Sequence, residues 1–289
     1  MENGDIIISV IFLSQTVVGI LGNSFLAYHY LMLYYVGCRL KFTDWILQHL
    51  IVANFLTLLC KGIPHTVSTF GLKSFLNDIG CKLTFYLHRI GRSVSIGSTC
   101  FLSVFQAITI SLNASRWTQL KVKSPSYIAS CVYMSWVLSF IVNIAFPMYM
   151  TARQDNRNIS RLRVYDFCST FHHDDVSDII SAVFLSIPDV MFMVLMLWSS
   201  SYMVCILYKH RQRMKHIHRS TFSFRSSAEF RATKTILLLV STFVFFHTIS
   251  CLLQINLALF HNPTSLWVKM ASVVAACFPT VSPFLVISN

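Results

Sequence analysis

The chain has 289 residues, of which 55% are hydrophobic and only 12% are charged, and its formal net charge is +12. This composition is typical of a membrane protein rather than of a soluble globular domain. Its basic residues lie in short loops beside apolar segments, where membrane topology and anionic lipid account for them, so we exclude nucleic acid as a partner.

Seven long apolar segments follow one another along the chain, at residues 6–33, 43–66, 83–112, 127–148, 178–208, 233–259 and 266–288. Each is long enough to cross a bilayer as a helix, which takes about 20 residues. The first segment is preceded by acidic residues and is too long for the core of a signal peptide, so we expect it to remain as a helix. The sequence therefore predicts an all-α membrane protein, a single seven-transmembrane helix bundle that fills residues 1–289.

The loops on one side of the predicted bundle are basic. Lys and Arg concentrate after spans one, three and five, whereas most acidic residues lie in the other loops and at the amino terminus. Short loops rich in Lys and Arg stay in the cytosol. We therefore expect the amino terminus outside, the carboxyl terminus inside, and a multi-pass protein of the plasma membrane.

Two of the nine cysteines, Cys81 and Cys168, fall on the predicted outer side, where an oxidising exterior permits a disulfide. The outer loop at residues 149–177 also contains the glycosylation sequon Asn158-Ile159-Ser160. Neither the cysteines nor the histidines have the spacing of metal ligands, so the sequence predicts no metal site and no cofactor.

The third span carries three basic side chains at membrane depth, His88, Arg89 and Arg92. An ionisable residue at this depth costs about 2.5–3.5 kcal/mol on insertion scales, so it should face the bundle interior. His88 and Arg92 are four residues apart and share one helix face, which Arg89 flanks. They form either a basic wall in an outward-opening ligand cavity or an internal ion pair with Asp189 of span five, and the sequence leaves both interpretations open.

Other polar and aromatic residues complete the candidate site. The further candidates for ligand contact lie in spans five and six: Ser181, Phe184, Ser186, Phe246 and His247. We also expect Asn23 of span one and Asn54 of span two to lie close together, as hydrogen-bonding groups between helices. No metalloprotease, serine-hydrolase or phosphate-loop motif is present, so the sequence does not predict an enzyme.

Several stretches, in their order and spacing, point to one family of receptors. They are His49-Leu50, Ala53-Asn54, Lys61-Gly62-Ile63-Pro64, His88-Arg89, Phe105-Gln106-Ala107, Pro188-Asp189-Val190 and the closing Phe278-Pro279-Thr280-Val281-Ser282-Pro283-Phe284. In these residues the chain resembles a vomeronasal type-1 receptor, of the rhodopsin-like superfamily, over nearly its whole length. The resemblance implies a chemosensory receptor that binds small pheromone-like molecules within the bundle and activates a Gi/o-type G protein. A disulfide between Cys81 and Cys168 and a glycan at Asn158 match the pattern of this family.

The resemblance also implies that inner loops and helix ends contact the G protein. The candidate residues there are Gln106, Arg116, Lys121, Lys123, Arg211, Arg213, Lys215, Arg231 and Lys234. Gln106 lies where most rhodopsin-like receptors have an acid–arginine pair, and Asn54 lies where an aspartate commonly helps to hold sodium. We therefore expect neither that ion pair nor a sodium site. Membrane lipid is a further partner, and self-association is left open.

The sequence is compatible with three alternatives to this interpretation. A bitter-taste-type receptor shares several of the departures from the rhodopsin pattern. A truncated, non-signalling relic of the vomeronasal family would account for a chain that stops at Ser288-Asn289, almost inside the last helix. A small transporter is disfavoured, because the odd number of spans does not divide into two matching halves.

Overall fold

A computed structural model describes residues 3–38, 40–69, 76–112, 118–144, 150–152, 162–165, 168–171, 175–216, 224–259 and 265–287. These residues form eight α-helices, one π-helical turn and three β-strands. The helices are α1 (Asn3–Tyr35), α2 (Phe42–Thr57), α3 (Ile63–Thr69), α4 (Asp78–Leu112), α5 (Thr118–Val142), α6 (Asp175–His216), α7 (Phe224–Leu259) and α8 (Ser265–Ile287).

Seven helical segments in the described ranges are long and apolar enough to span a membrane, which confirms the predicted seven-helix bundle. The second segment consists of α2, the π turn and α3. The helix ends differ from the predicted spans most at three helices: α5 begins at Thr118 and ends at Val142 where the prediction was 127–148, α6 continues to His216, and α7 begins at Phe224. These extensions are polar, so hydropathy does not mark them, although the backbone continues its helical hydrogen bonds.

A π-helical turn at Leu58–Gly62 interrupts the second segment. Pro64 follows this turn and has no backbone N–H, so it cannot donate the hydrogen bond that a regular helix requires at this position. The turn lies against α1 at Gly62, where an added Cβ would lie 2.6 Å from Cγ2 of Thr16. The wider turn thus accommodates the proline while α1 stays in close contact.

Helix α4 is the centre of the bundle and packs against α2, α5, α6 and α7. Its 35 residues extend about 50 Å at 1.5 Å per residue. Ile96 and Leu102 of this helix are fully buried. At Gly91 the approach to α2 is close enough that an added Cβ would lie 2.8 Å from the carbonyl oxygen of Ala53.

We expect Gly91→Ala to destabilise the bundle, because the new methyl group would meet a backbone atom that cannot move without shifting α2. Overpacking costs about 1–3 kcal/mol, which exceeds the roughly 1 kcal/mol that alanine gains over glycine in a helix. Thermal unfolding of the purified protein would show a lowered midpoint.

The matched control for this change is Gly97→Ala, on the same helix. There an added Cβ would lie 3.3 Å from the side chain of Ser135, which is able to adjust. We expect little change in its unfolding midpoint. Equal midpoints for the two variants would contradict close α2–α4 packing at Gly91.

The segment between α5 and α6 contains a small antiparallel sheet that the sequence analysis did not predict. Its strands are β1 (Met150–Ala152), β2 (Leu162–Tyr165) and β3 (Cys168–Phe171), in the order β1-β3-β2. Cys168, the first residue of β3, forms a disulfide with Cys81 near the start of α4, with 6.0 Å between the two Cα atoms. We call this side of the bundle the disulfide end, and the side where α6 ends and α7 begins the opposite end.

Candidate ligand-binding cavity

A small cavity lies between α4, α7 and α8, with one contribution from the end of α2. Its polar lining consists of Thr57, His88, Arg92, Ser95, His247 and Ser250. Its apolar lining consists of Phe243, Phe246, Val274, Ala275, Phe278 and Pro279. Four of the residues predicted for ligand contact are therefore brought together here: His88, Arg92, Phe246 and His247.

Arg92 provides the permanent positive charge of the cavity wall. It follows Cys81 by 11 residues, which places it roughly 16 Å along α4 from the disulfide. Its Nη2 donates a hydrogen bond to the sulfur of Cys251 on α7, at 3.6 Å. A thiol is a weak acceptor, so the guanidinium keeps donors that can bind an acceptor group in the cavity.

Arg89 has a different role from Arg92, although the two residues are only three positions apart. Its Nε donates to Oδ1 of Asn143, the residue directly after α5, at 2.8 Å. Asn143 is buried, and its own Nδ2 donates to the carbonyl oxygen of Ser139. Arg89 thus joins α4 to α5, and the structure does not place it in the cavity lining.

Asp189, the predicted partner for an internal ion pair, lies on α6 and also outside the cavity lining. It is within range of electrostatic interaction with both Arg92 and Arg89. A carboxylate at this position lowers the net positive charge that a ligand would meet, while the donors of Arg92 stay on the cavity side. The cavity therefore favours hydrogen-bond acceptors in general, with anions as one case.

Aromatic rings form a rigid corner of the cavity. The Phe243 ring stacks on the His247 ring, with centroids 5.3 Å apart and an interplanar angle of 14°. The Phe278 ring of α8 meets Phe243 edge-on, with centroids 4.6 Å apart. Aromatic pairs in such arrangements add about 0.5–1.5 kcal/mol beyond their buried area. This corner can hold the apolar part of a ligand.

A polar network extends from the cavity toward α1 and α8. Ser95, a lining residue, donates to Oδ1 of Asn54 at 3.2 Å, and Asn54 donates to the Ser282 hydroxyl at 2.9 Å. Asn23 donates to the carbonyl oxygen of Pro279 at 2.9 Å and lies 3.5 Å from the Asn54 amide, as the sequence predicts. Four helices are therefore joined by hydrogen bonds directly beside the cavity.

The candidates from span five are not brought to this cavity. Phe184 is 63% exposed, Ser186 is also exposed, and the side chain of Ser181 lies outside the described residues. Phe243 and Ser250 also line the cavity and were not predicted, although they lie four residues before His247 and three residues after it on the same helix face. Among the described residues, no group of three potential metal ligands occurs.

At the opposite end, one predicted G-protein contact makes a defined bond between helices. Nε2 of Gln106 on α4 donates to Oγ1 of Thr233 on α7, at 2.8 Å, and both residues are buried. Lys123 and Lys234 are exposed near the same end. Arg116 and the sequon residue Asn158 lie outside the described residues, as do the side chains of Lys121, Arg211, Arg213, Lys215 and Arg231.

Comparison with known proteins identifies the family. The profile of the vomeronasal organ pheromone receptor family matches residues 6–289. Vomeronasal type-1 receptor 4 of Pongo pygmaeus is 52% identical over 276 residues, which cover 96% of this chain and 92% of that receptor. Vomeronasal type-1 receptor 2 of Homo sapiens is 46% identical, over 94% of this chain and 69% of that receptor. Olfactory receptor class A-like protein 1 of Danio rerio is 32% identical, over 97% of this chain and 88% of that protein.

These relatives decide which family the chain belongs to. They favour the vomeronasal type-1 receptors over a bitter-taste-type receptor and a transporter, and they indicate a multi-pass plasma-membrane protein that is not an enzyme. The matched region includes all seven spans and the loops between them. The chain belongs to the vomeronasal type-1 receptor family and is a chemosensory G-protein-coupled receptor.

Proposed function

We propose that this receptor binds a small pheromone-like molecule in the cavity between α4, α7 and α8, and in response activates a Gi/o-type G protein at the opposite end. The observation that carries the proposal is the position of Arg92 and His247 in a cavity whose Ser95 is hydrogen-bonded into the network of four helices. A ligand that binds here contacts α4, α7 and α8. These are helices whose relative positions would have to change for the receptor to activate a G protein.

The composition of the cavity indicates the class of ligand. Arg92, with the ring N–H groups of His88 and His247, presents donors, and the Phe243–Phe278 corner presents apolar surface. The proposed ligand is therefore a small, largely apolar molecule with one carbonyl, carboxylate or sulfate group. Its acceptor binds Arg92 and its hydrocarbon part packs against the aromatic rings.

The proposed orientation places the disulfide end outside and the opposite end in the cytosol. The basic loops after α1, α4 and α6 support it, because short loops rich in Lys and Arg remain cytosolic. In this orientation the disulfide and the Asn158 sequon are extracellular. Lys123 and Lys234 then lie where they can meet anionic lipid or the acidic surface of a G protein.

The Gln106–Thr233 bond is the proposed contact that holds α7 against α4 in the inactive receptor. G-protein binding needs an opening between these helices at the cytosolic end, so breaking the bond should shift the population toward the open form. Hydrogen bonds between membrane helices are worth about 0.6 kcal/mol on average, which corresponds to a factor of roughly three in population.

Accordingly, Thr233→Val should raise ligand-independent nucleotide exchange about threefold. The measurement is basal exchange on a Gi/o protein in membranes with equal amounts of receptor. Thr242→Val is the matched control, because the Thr242 hydroxyl bonds within its own helix, to the carbonyl oxygen of Leu238. An unchanged basal rate in Thr233→Val would exclude the Gln106–Thr233 bond as a restraint.

The overall proposal is tested by ligand-dependent nucleotide exchange on a Gi/o protein, in membranes that contain surface-labelled receptor. The ligand panel combines volatile ketones, carboxylic acids and steroid sulfates. A response to acceptor-bearing compounds, with none to hydrocarbons of the same size, supports the proposal. A labelled receptor that responds to hydrocarbons equally well would contradict the role of the basic wall.

A further inference from the structure

We propose that Cys251 is a positioning residue for ligand recognition: it fixes the ring proton of His247 on Nδ1, so that the cavity selects carbonyl groups over hydroxyl groups. Cys251 lies on α7, four residues after His247, and is partly buried outside the cavity lining. It acts through the two lining residues that its sulfur contacts. This inference rests on the proposed function, because it concerns the same cavity, and it adds which functional group of a ligand is accepted there.

The sulfur of Cys251 joins two polar residues of the cavity that belong to different helices. Nη2 of Arg92, on α4, donates a hydrogen bond to the sulfur at 3.6 Å. Nε2 of His247, on α7, lies 3.5 Å from the same sulfur. Arginine has donors only, so the sulfur is the acceptor in the first contact. A thiol and an imidazole can each donate or accept, so the direction of the second contact decides which ring nitrogen of His247 carries a proton.

The contact with Arg92 favours a thiol that donates to His247. A guanidinium N–H directed at the sulfur polarises the S–H bond, since hydrogen bonds in a chain strengthen one another. The sulfur is a weak acceptor, so a second donor directed at it gains little. We therefore infer that the Cys251 thiol donates to Nε2 of His247. The ring N–H is then on Nδ1, because the bond made by one ring nitrogen sets the proton on the other.

Phe243 fixes the plane of the same imidazole. Its ring stacks on that of His247, with centroids 5.3 Å apart and an interplanar angle of 14°. Nε2 is engaged by Cys251, which leaves Nδ1 as the ring nitrogen that can bind a ligand in the cavity. Arg92 and His247 therefore present two donors to one ligand group.

Two donors discriminate between functional groups of the same size. A carbonyl oxygen has two lone pairs and can accept from both Arg92 and Nδ1–H of His247. A hydroxyl group can also accept, but its own O–H finds no acceptor on either residue. A donor that is buried without its hydrogen bond costs free energy. We therefore expect the cavity to bind a ketone more tightly than the alcohol with the same carbon skeleton.

The first test locates the ring proton directly, on the purified full-length receptor with nitrogen-15-labelled histidine. Nitrogen NMR distinguishes a protonated from a bare ring nitrogen, and the His247→Gln variant identifies the His247 signals. We expect Nδ1–H with a bare Nε2 in the unsubstituted receptor and in Cys251→Ser, whose hydroxyl also donates and accepts. Cys251→Ala removes the donor and should show both tautomers. A proton on Nε2 in the unsubstituted receptor, or a single unchanged tautomer in Cys251→Ala, would overturn the proposal.

The second test compares the affinities of 2-octanone and 2-octanol, measured from the rise of the unfolding midpoint with ligand concentration. The ratio of the two affinities should favour the ketone and should fall about 2- to 12-fold in Cys251→Ala, the effect of one hydrogen bond. Cys251→Ser should retain the ratio. A general loss of structure would weaken both compounds alike, so the ratio reports on the ring proton. Equal ratios in the unsubstituted receptor and in Cys251→Ala would contradict the role in selectivity.

Cys277→Ala is the matched control for both tests. Cys277 has the same intermediate exposure as Cys251 and also lies in a membrane-spanning helix. Its described contacts are with Nε2 of Gln15 and the carbonyl oxygen of Val273, so its loss should change neither the tautomer nor the ratio. The NMR measurement needs no ligand and no G protein. Failure of this inference and failure of the receptor proposal are therefore separate results.

Discussion

Replacing Arg92 with glutamine is expected to weaken the response to acceptor-bearing ligands roughly 10- to 150-fold, because hydrogen bonds to a charged group are worth about 1.5–3 kcal/mol. Surface display should remain close to that of the parent, since the hydrogen bond of Arg92 is to a weak thiol acceptor at 3.6 Å and Arg89 stays within electrostatic range of Asp189. The measurement is a dose–response curve for nucleotide exchange, normalised to surface-labelled receptor, with a steroid sulfate and a neutral ketone as probes.

Arg89→Gln is the matched control, on the same helix and with the same change in charge. Arg89 bonds to Asn143, directly after α5, and is absent from the cavity lining. We therefore expect lower display with nearly unchanged potency in the receptor that reaches the surface. If Arg92→Gln lowers display and leaves potency intact, Arg92 is a structural residue and the basic wall does not bind ligand.

Replacing Cys81 with serine is expected to destabilise the receptor by about 2–5 kcal/mol, the usual cost of losing a native disulfide. The bond joins α4 to β3 across 87 residues of sequence, so its loss removes the covalent link between the sheet and the bundle. We expect reduced surface display with no selectivity among ligands. Flow cytometry on an amino-terminal tag measures the display.

Two further variants make this test specific. Cys168→Ser and the double variant Cys81→Ser/Cys168→Ser should match the single variant, because all three lack the same bond. Cys131→Ser removes an exposed cysteine outside this disulfide and should have no effect. Equal display in the parent and in Cys81→Ser would show that the disulfide is dispensable.

The seven-helix architecture was predictable because the membrane imposes one simple requirement. Every backbone polar group in hydrocarbon must be bonded internally, so an apolar run of about 20 residues is a helix with few alternatives. This requirement ends at the membrane surface. Hydropathy therefore did not predict the extensions of α6 to His216 and of α7 back to Phe224, and only the structure shows them.

The small sheet was not predictable for a related reason. Its strands have three or four residues, too few to show an alternating pattern. Cys168 is the first residue of the central strand β3, opposite Ala152 on one side and Tyr165 on the other. The cysteine was visible in the sequence, but its place in a sheet depends on where the disulfide holds it.

The candidate site was predicted in part. Helical spacing placed His88 and Arg92 on one face, and both line the cavity. The different role of Arg89 depends on Asn143, which follows the end of α5 and lies 54 positions away in the sequence. Likewise Ala275 and Phe278 enter the site only because α8 packs beside α7. Sequence spacing predicts which residues share a face of one helix. A cavity depends on how several helices pack, which the spacing does not predict.

The most direct test of the central claim, that the cavity controls G-protein activation, is to fill it without changing any charge. Ala275→Leu adds bulk to the cavity lining, and Ala27→Leu adds the same bulk at an exposed position of α1. The measurement is ligand-dependent nucleotide exchange on a Gi/o protein at equal surface display. We predict that Ala275→Leu loses the response while Ala27→Leu retains it. Equal dose–response curves for the two variants would contradict the assignment of this cavity as the ligand site.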